Sequence, residues 1–162
     1  MNLDLLMNMR PAIEEAFRGW LTDQGVAAYT RQNSTEEFEN VRPRVEVEAK
    51  IGGATGHKYV TGGVLYNDTY FFELALVAVC APQNIEAADL TIDQYVARLR
   101  GMMQTYAQAT WADTVNFPYH LIVEPLKDTT TVDNLKADDN EEWSTLTFAG
   151  IVQIRTEAWT NT

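Results

Sequence analysis

Two histidines, one cysteine and a glycine-rich tract are the residues best suited by type to chemistry in this 162-residue chain, and their spacing argues against most of it. Gly52-Gly53-Ala54-Thr55-Gly56-His57-Lys58 has the composition of a phosphate-binding loop. That motif needs four residues between its glycines, then Lys, then Ser or Thr, and a helix whose N-terminus holds the phosphate. Here the gap is shorter, His57 intervenes and Tyr59 follows, with strand-like sequence on both sides, so the tract reads as a flexible hairpin loop. His57 and His120 stand far apart, and no His or Cys pair has metal-ligand spacing. Asp128, Asp133, Asp138, Asp139, Glu141 and Glu142 are clustered against Lys127 and Lys136, but without the alternating ligands and glycine of a calcium loop they read as a solvated charge run. Cys80 lies in an apolar run, which suits a small buried hydrophobe better than an activated thiolate. Glu46 and Glu48 share a strand face with Arg44 and Lys50, a surface ladder rather than an acid and base pair. The expectation is a protein with no catalytic residues, cofactor or metal site.

The aromatic residues point elsewhere. Trp111, Tyr119, Trp143 and Trp159 fall at element boundaries, while Tyr29 and Phe38 lie in a polar stretch. Large aromatics in such places are enriched at interfaces, although capping the core explains most of them. The candidate subunit-interface residues are therefore Gly52, Gly53, Gly56, His57 and Lys58 of the glycine tract, with Trp143 and Trp159 at the ends of the final strand. The acidic stretch 127–142 is a second candidate contact loop.

The elements that must position these residues follow from periodicity. Ile13, Phe17, Trp20 and Leu21 recur at helical spacing, Pro11 suits a first turn and Gly25 is placed to end the helix. Residues 1–9 add either an upstream turn or an N-terminal arm. Residues 26–41 read as irregular and long for a compact domain, a segment that would order against a partner. Val45, Val47, Ala49 and Ile51 alternate with charged residues in a half-buried strand. Extended character resumes over 58–66, with Gly62 and Gly63 as a kink, and residues 70–81 are apolar on both parities, as in a central strand covered on two faces. Thr91 and Gln94 have capping-box spacing before the stripe Ile92, Tyr95, Val96, Leu99, Met102, Met103 and Tyr106. A short strand over 121–126 comes next, with Pro125 marking an edge or an end.

Residues 143–159 close the chain as one uninterrupted strand pattern. Leu146, Phe148, Gly150, Val152 and Ile154 alternate with Thr145, Thr147, Ala149, Ile151 and Gln153 without a phase flip. Extended, that run spans roughly 50 Å, against a diameter of about 40 Å for a globule of this length. One of its ends, at Trp143 or Trp159, is expected to project and meet a neighbouring subunit. The predicted fold class is α+β: a mainly antiparallel or mixed β-sheet packed by two helices, in the order α-β-β-β-α-β-β, as one domain over 1–162.

A formal net charge of −11 disfavours a general grip on nucleic-acid phosphates. Residues 1–9 contain Asp4 and lack a signal-peptide core, no window suits a membrane span, and a single cysteine excludes an internal disulfide. Folding in a cytoplasm is expected.

With the elements placed, the chain resembles the tail terminator, or tail completion, proteins of tailed phages. The resemblance rests on four features: the short N-terminal helix from Pro11 to Leu21; the strand entry Val41-Arg42-Pro43-Arg44-Val45-Glu46-Val47; the apolar strand 70–81 leading into a helix; and the closing Ser144-Thr145-Leu146-Thr147-Phe148 strand. It implies a structural virion protein without enzymatic activity. Such a subunit forms a homo-oligomeric ring, typically a hexamer, on the head-proximal end of the tail tube, stopping tube polymerisation and offering a head–tail joining surface. The partners implied are other copies of the chain, the tail tube protein and the head connector or neck protein, with DNA passing through unbound and no membrane involved. Its implied location is the neck end of the phage tail, and the host cytoplasm during assembly. Other neck, connector or tail-tube subunits are the nearest alternatives. A small ligand-binding domain or enzyme is a third, which would need a deep pocket with convergent polar groups.

Overall fold

The computed structural model describes residues 7–30, 41–57, 68–82, 90–106, 119–121, 126–131 and 135–154. Within them the chain forms helix α1 (Met9–Asp23), strands β1 (Ala28–Tyr29), β2 (Arg44–His57) and β3 (Asp68–Cys80), helix α2 (Ile92–Tyr106), and strands β4 (Tyr119–Leu121), β5 (Lys127–Asp128), β6 (Lys136–Ala137) and β7 (Glu142–Ile154). This is the α+β architecture expected, a mixed sheet with two helices. The sheet path is β1-β2-β3-β7-β4, and β5 and β6 also pair with β7. Among the described residues only β1 with β2 is parallel, and the other pairings are antiparallel.

Local chemistry sets the end of α1 and the start of α2. At the end of α1 the Val26 N–H donates to the Leu21 carbonyl and the Gly25 N–H to that of Thr22, both at 3.0 Å. This crossed pair needs a left-handed residue at Gly25, whose φ is 84°. Thr91 and Gln94 form the expected capping box: the Thr91 N–H donates to Gln94 Oε1 at 3.1 Å and the Gln94 N–H to Thr91 Oγ1 at 3.3 Å.

One face of the sheet carries the core. Val45, Val47 and Ala49 of β2, Phe72, Leu74, Leu76 and Ala78 of β3, and Leu146, Phe148 and Val152 of β7 are all buried with Ile13, Phe17 and Leu21 of α1 and Ile92, Val96, Leu99 and Met103 of α2. Each such side chain contributes roughly 1.5–3 kcal/mol by leaving water. The Phe17 and Phe72 rings meet at 6.1 Å and join α1 to the centre of the sheet. Across from Phe72, Gly150 is the residue that leaves space for its ring: a Cβ there would lie 2.3 Å from Phe72 Cζ and 2.7 Å from Leu126 Cδ2.

The opposite face is not covered in the way the doubly apolar β3 sequence suggests. Phe71 is 47% exposed and Glu73 is exposed, while Ala75 and Val77 are half-buried. The reason is that both helices spend their apolar stripes on a single face, so the second parity of β3 has no helix over it among the described residues.

Two further expectations change. Residues 52–57 are not a hairpin loop but the second half of β2, paired with β3 through two register shifts, one between Ile51 and Ala54 and one between Ala54 and His57. Each inserts one extra residue opposite β3, and Gly52, Gly53 and Gly56 sit at these bulges, where a missing Cβ eases the local twist. The irregular stretch 26–41 holds the short strand β1. Of the strand expected over 121–126, Leu121 belongs to β4, and 122–125 lie outside the described residues. The strand expected over 58–66 lies outside the described residues, as does residue 159.

Candidate functional site

The backbone groups at the rim of the sheet distinguish its two ends. Tracing residues across the strands gives levels. At one end Ala28 lies beside Val45, which pairs with Ala78 and then Ser144, and β6 closes the outer side of β7 at Trp143 and Glu142. At the other end Ala54 pairs with Tyr70, Tyr70 with Val152 and Val152 with Leu121, so the outermost strands are β2 and β4.

The first half of the β2 rim is closed by two devices. The Val45 N–H donates to the Ala27 carbonyl at 2.8 Å, beside β1. Four residues further, the Ala49 N–H donates to Glu14 Oε2 at 2.9 Å, and Glu14 is 5% exposed. A carboxylate from α1 thus occupies a donor that a foreign strand would otherwise take. Glu14 was legible as an oddity, because it shares the helical stripe of Phe17 and Leu21 yet is charged.

The acidic stretch is the closing device for β7 and not a free contact loop. Lys127 and Asp128 pair with Ala149 and Phe148, and the Thr129 N–H donates to the Thr147 carbonyl at 2.9 Å. Asp128 accepts from the Thr130 N–H at 2.9 Å and from Arg100 of α2 at 2.8 Å. Burial alone would raise its carboxyl, but the Thr130 hydroxyl and N–H and the Arg100 guanidinium outweigh burial and hold it below its ordinary value. Asp138 folds the turn before β7, accepting from the N–H groups of Asn140 and Glu141 at 2.8 Å. Glu141 reaches the strand entry, 3.0 Å from Arg42 and 3.6 Å from Arg44. Arg44 is only 5% exposed and also donates to the Val41 carbonyl at 3.2 Å, so it is a buried clamp rather than a rung of a surface ladder. Neither link was visible in sequence, since 99 positions separate Arg42 from Glu141.

Among the candidate interface residues, Trp143 is half-buried in β7, flanked by Val79 of β3 and Lys136 of β6, so the strand does not project at that end. Gly52, Gly53, Gly56 and His57 lie together on the second half of β2, while Lys58 and Trp159 fall outside the described residues. Among the described residues no strand pairs with the outer side of β2 beyond Glu46, nor with that of β4.

Among the described residues, groups capable of chemistry do not converge. Cys80 is 2% exposed beside Tyr95, whose hydroxyl is pushed up to about 12 by burial first and by Cys80 second. Ser144 Oγ is buried and has no hydrogen bond to a side chain that could act as its base. Among the described residues no three His, Cys, Asp or Glu side chains are grouped to hold a metal ion, and no helix is long and apolar enough to cross a membrane. No protein-family model and no curated protein matches the chain. The site with the clearest physical content is therefore the open end of the sheet: residues 51–57 of β2, β4, and the exposed Phe71 beside Ile151.

Proposed function

We propose that this chain is a structural virion subunit that assembles into a homo-oligomeric ring, of hexamer type, at the head-proximal end of a phage tail tube. There it ends tube polymerisation and presents a joining surface to the head connector or neck protein, while DNA passes without specific binding. Its location in this reading is the neck end of the tail, and the host cytoplasm before assembly. The observation that carries the reading is the sheet with both outer strands unpaired at one end among the described residues and closed at the other. Unpaired strand edges on opposite sides of one subunit favour head-to-tail contacts, which close into rings when the rotation allows. The resemblance in element order to tail terminators supplies the biological setting, and the charge of −11 suits a wall past which DNA must slide.

Electron microscopy of the purified protein with tail tubes tests this directly. Capped tubes of limited length are expected, and tubes of unlimited length with no bound cap would overturn it. The same open edges also suit a tail-tube subunit, because head-to-tail contacts that do not close make a filament. That second reading predicts tubes from the purified chain alone.

A further inference from the structure

We infer that the second half of β2 in one copy pairs with β4 of the next copy, joining their sheets edge to edge. The inference rests on the ring reading and specifies its contact. Ala54 and Leu121 occupy one level of the sheet, linked through Tyr70 and Val152, and lie on opposite sides of it. β4 is antiparallel to β7, β7 to β3 and β3 to β2, so β4 and β2 run in opposite directions. A neighbouring copy set beside the first in the same orientation therefore brings its β4 alongside β2 as an antiparallel partner, the pairing with the more favourable hydrogen bonds. Contact between two different edges is heterologous, as a ring requires.

Two further features suit a protein strand as the occupant. Gly52, beside Phe71, leaves this part of β2 without a side chain, and a Cβ there would meet the Phe71 carbonyl oxygen at an ordinary 3.4 Å. Phe71 and Ile151 are paired neighbours on the uncovered face at the same end, an apolar surface that an incoming subunit would shield. The bulges at the glycines twist the edge and restrict it to a short partner, and β4 has three residues.

Full-length Ala54→Cys and His120→Cys variants test the contact, alone, mixed and combined, with a short bis-maleimide linker in the presence of tail tubes. Cys80 is buried, so the unsubstituted chain serves as the unreactive control. Within one chain the two positions are three strand spacings apart, about 14 Å, beyond such a linker. The expected result is a crosslinked dimer from the mixture and a ladder of higher species from the double variant. Products from Ala54→Cys alone would mean that two β2 edges meet, and would overturn the inference. Rings on tubes by microscopy without mixed products would overturn the edge pairing and leave the ring reading standing. A ladder without caps on tubes would uphold the pairing and remove the tail-terminator role, and the absence of both would remove both.

Discussion

The two ends of the sheet share the same three long strands and differ in what finishes their rims. At the Val45 end, β1, the Glu14 carboxylate, β5 and β6 occupy the outward backbone groups of β2 and β7. At the Ala54 end the described residues show none of these devices, and the strand carries bulges in place of a partner. The difference separates two demands on one sheet: the closed end and the core beneath it hold the subunit together, whereas the open end is free to bind. Substitutions in the first region should change stability, and those in the second should change assembly.

The largest expected effect is at Gly150, where β7, Phe72 and Leu126 are packed too closely for any Cβ. Gly150→Val should destabilise the subunit by about 3 kcal/mol through forced repacking, read as a shift in urea midpoint. An unchanged midpoint would show that the core around Phe72 is looser than described.

Glu14→Ala breaks the contrast itself. Removing the acceptor leaves the Ala49 N–H unsatisfied and should lower stability by about 2 kcal/mol. It also opens the protected half of β2, so light scattering should detect self-association that the unsubstituted chain lacks at the same concentration. Loss of stability with no change in association would confine Glu14 to a structural role.

Gly25→Ala asks whether the placement of α1 depends on its terminus. The left-handed φ of 84° disfavours a Cβ, and a loss of about 1 kcal/mol is expected, measured by thermal unfolding.

The smallest effect is electrostatic. Because the Asp128 carboxyl is held below its ordinary value in the folded chain, its contribution is fully present above the unfolded value of about 3.9 and is lost as pH falls through the lower folded value. Its contact with Arg100 is partly exposed, so Arg100→Met should remove only about 0.5 kcal/mol near neutral pH. The difference between the two proteins should disappear in acid, and a difference that grew below pH 4 would contradict the assignment.

What could be read from the sequence was what repeats locally. The stripe of α1, the Thr91 and Gln94 box and the unbroken alternation of β7 follow from helix and strand periods, and each is present in the structure. What could not be read depends on partners distant in sequence. Glycines 52, 53 and 56 have the composition of a loop, and only pairing with β3 makes them a bulged strand. Asp128, Asp138 and Glu141 look like a solvated run until Arg100, a turn and Arg42 claim them. The candidate surface was partly legible, since the glycine tract was singled out, but for flexibility rather than for the unpaired rim it supplies.

Hydrogen exchange along β2, in the free chain and in the chain assembled on tail tubes, tests the division of the sheet most directly. Residues 45–49 should exchange slowly in both states, while the outward amides of 51–57 should exchange quickly in the free chain and become protected on assembly. Equal protection of both halves in the free chain, unchanged on assembly, would contradict it.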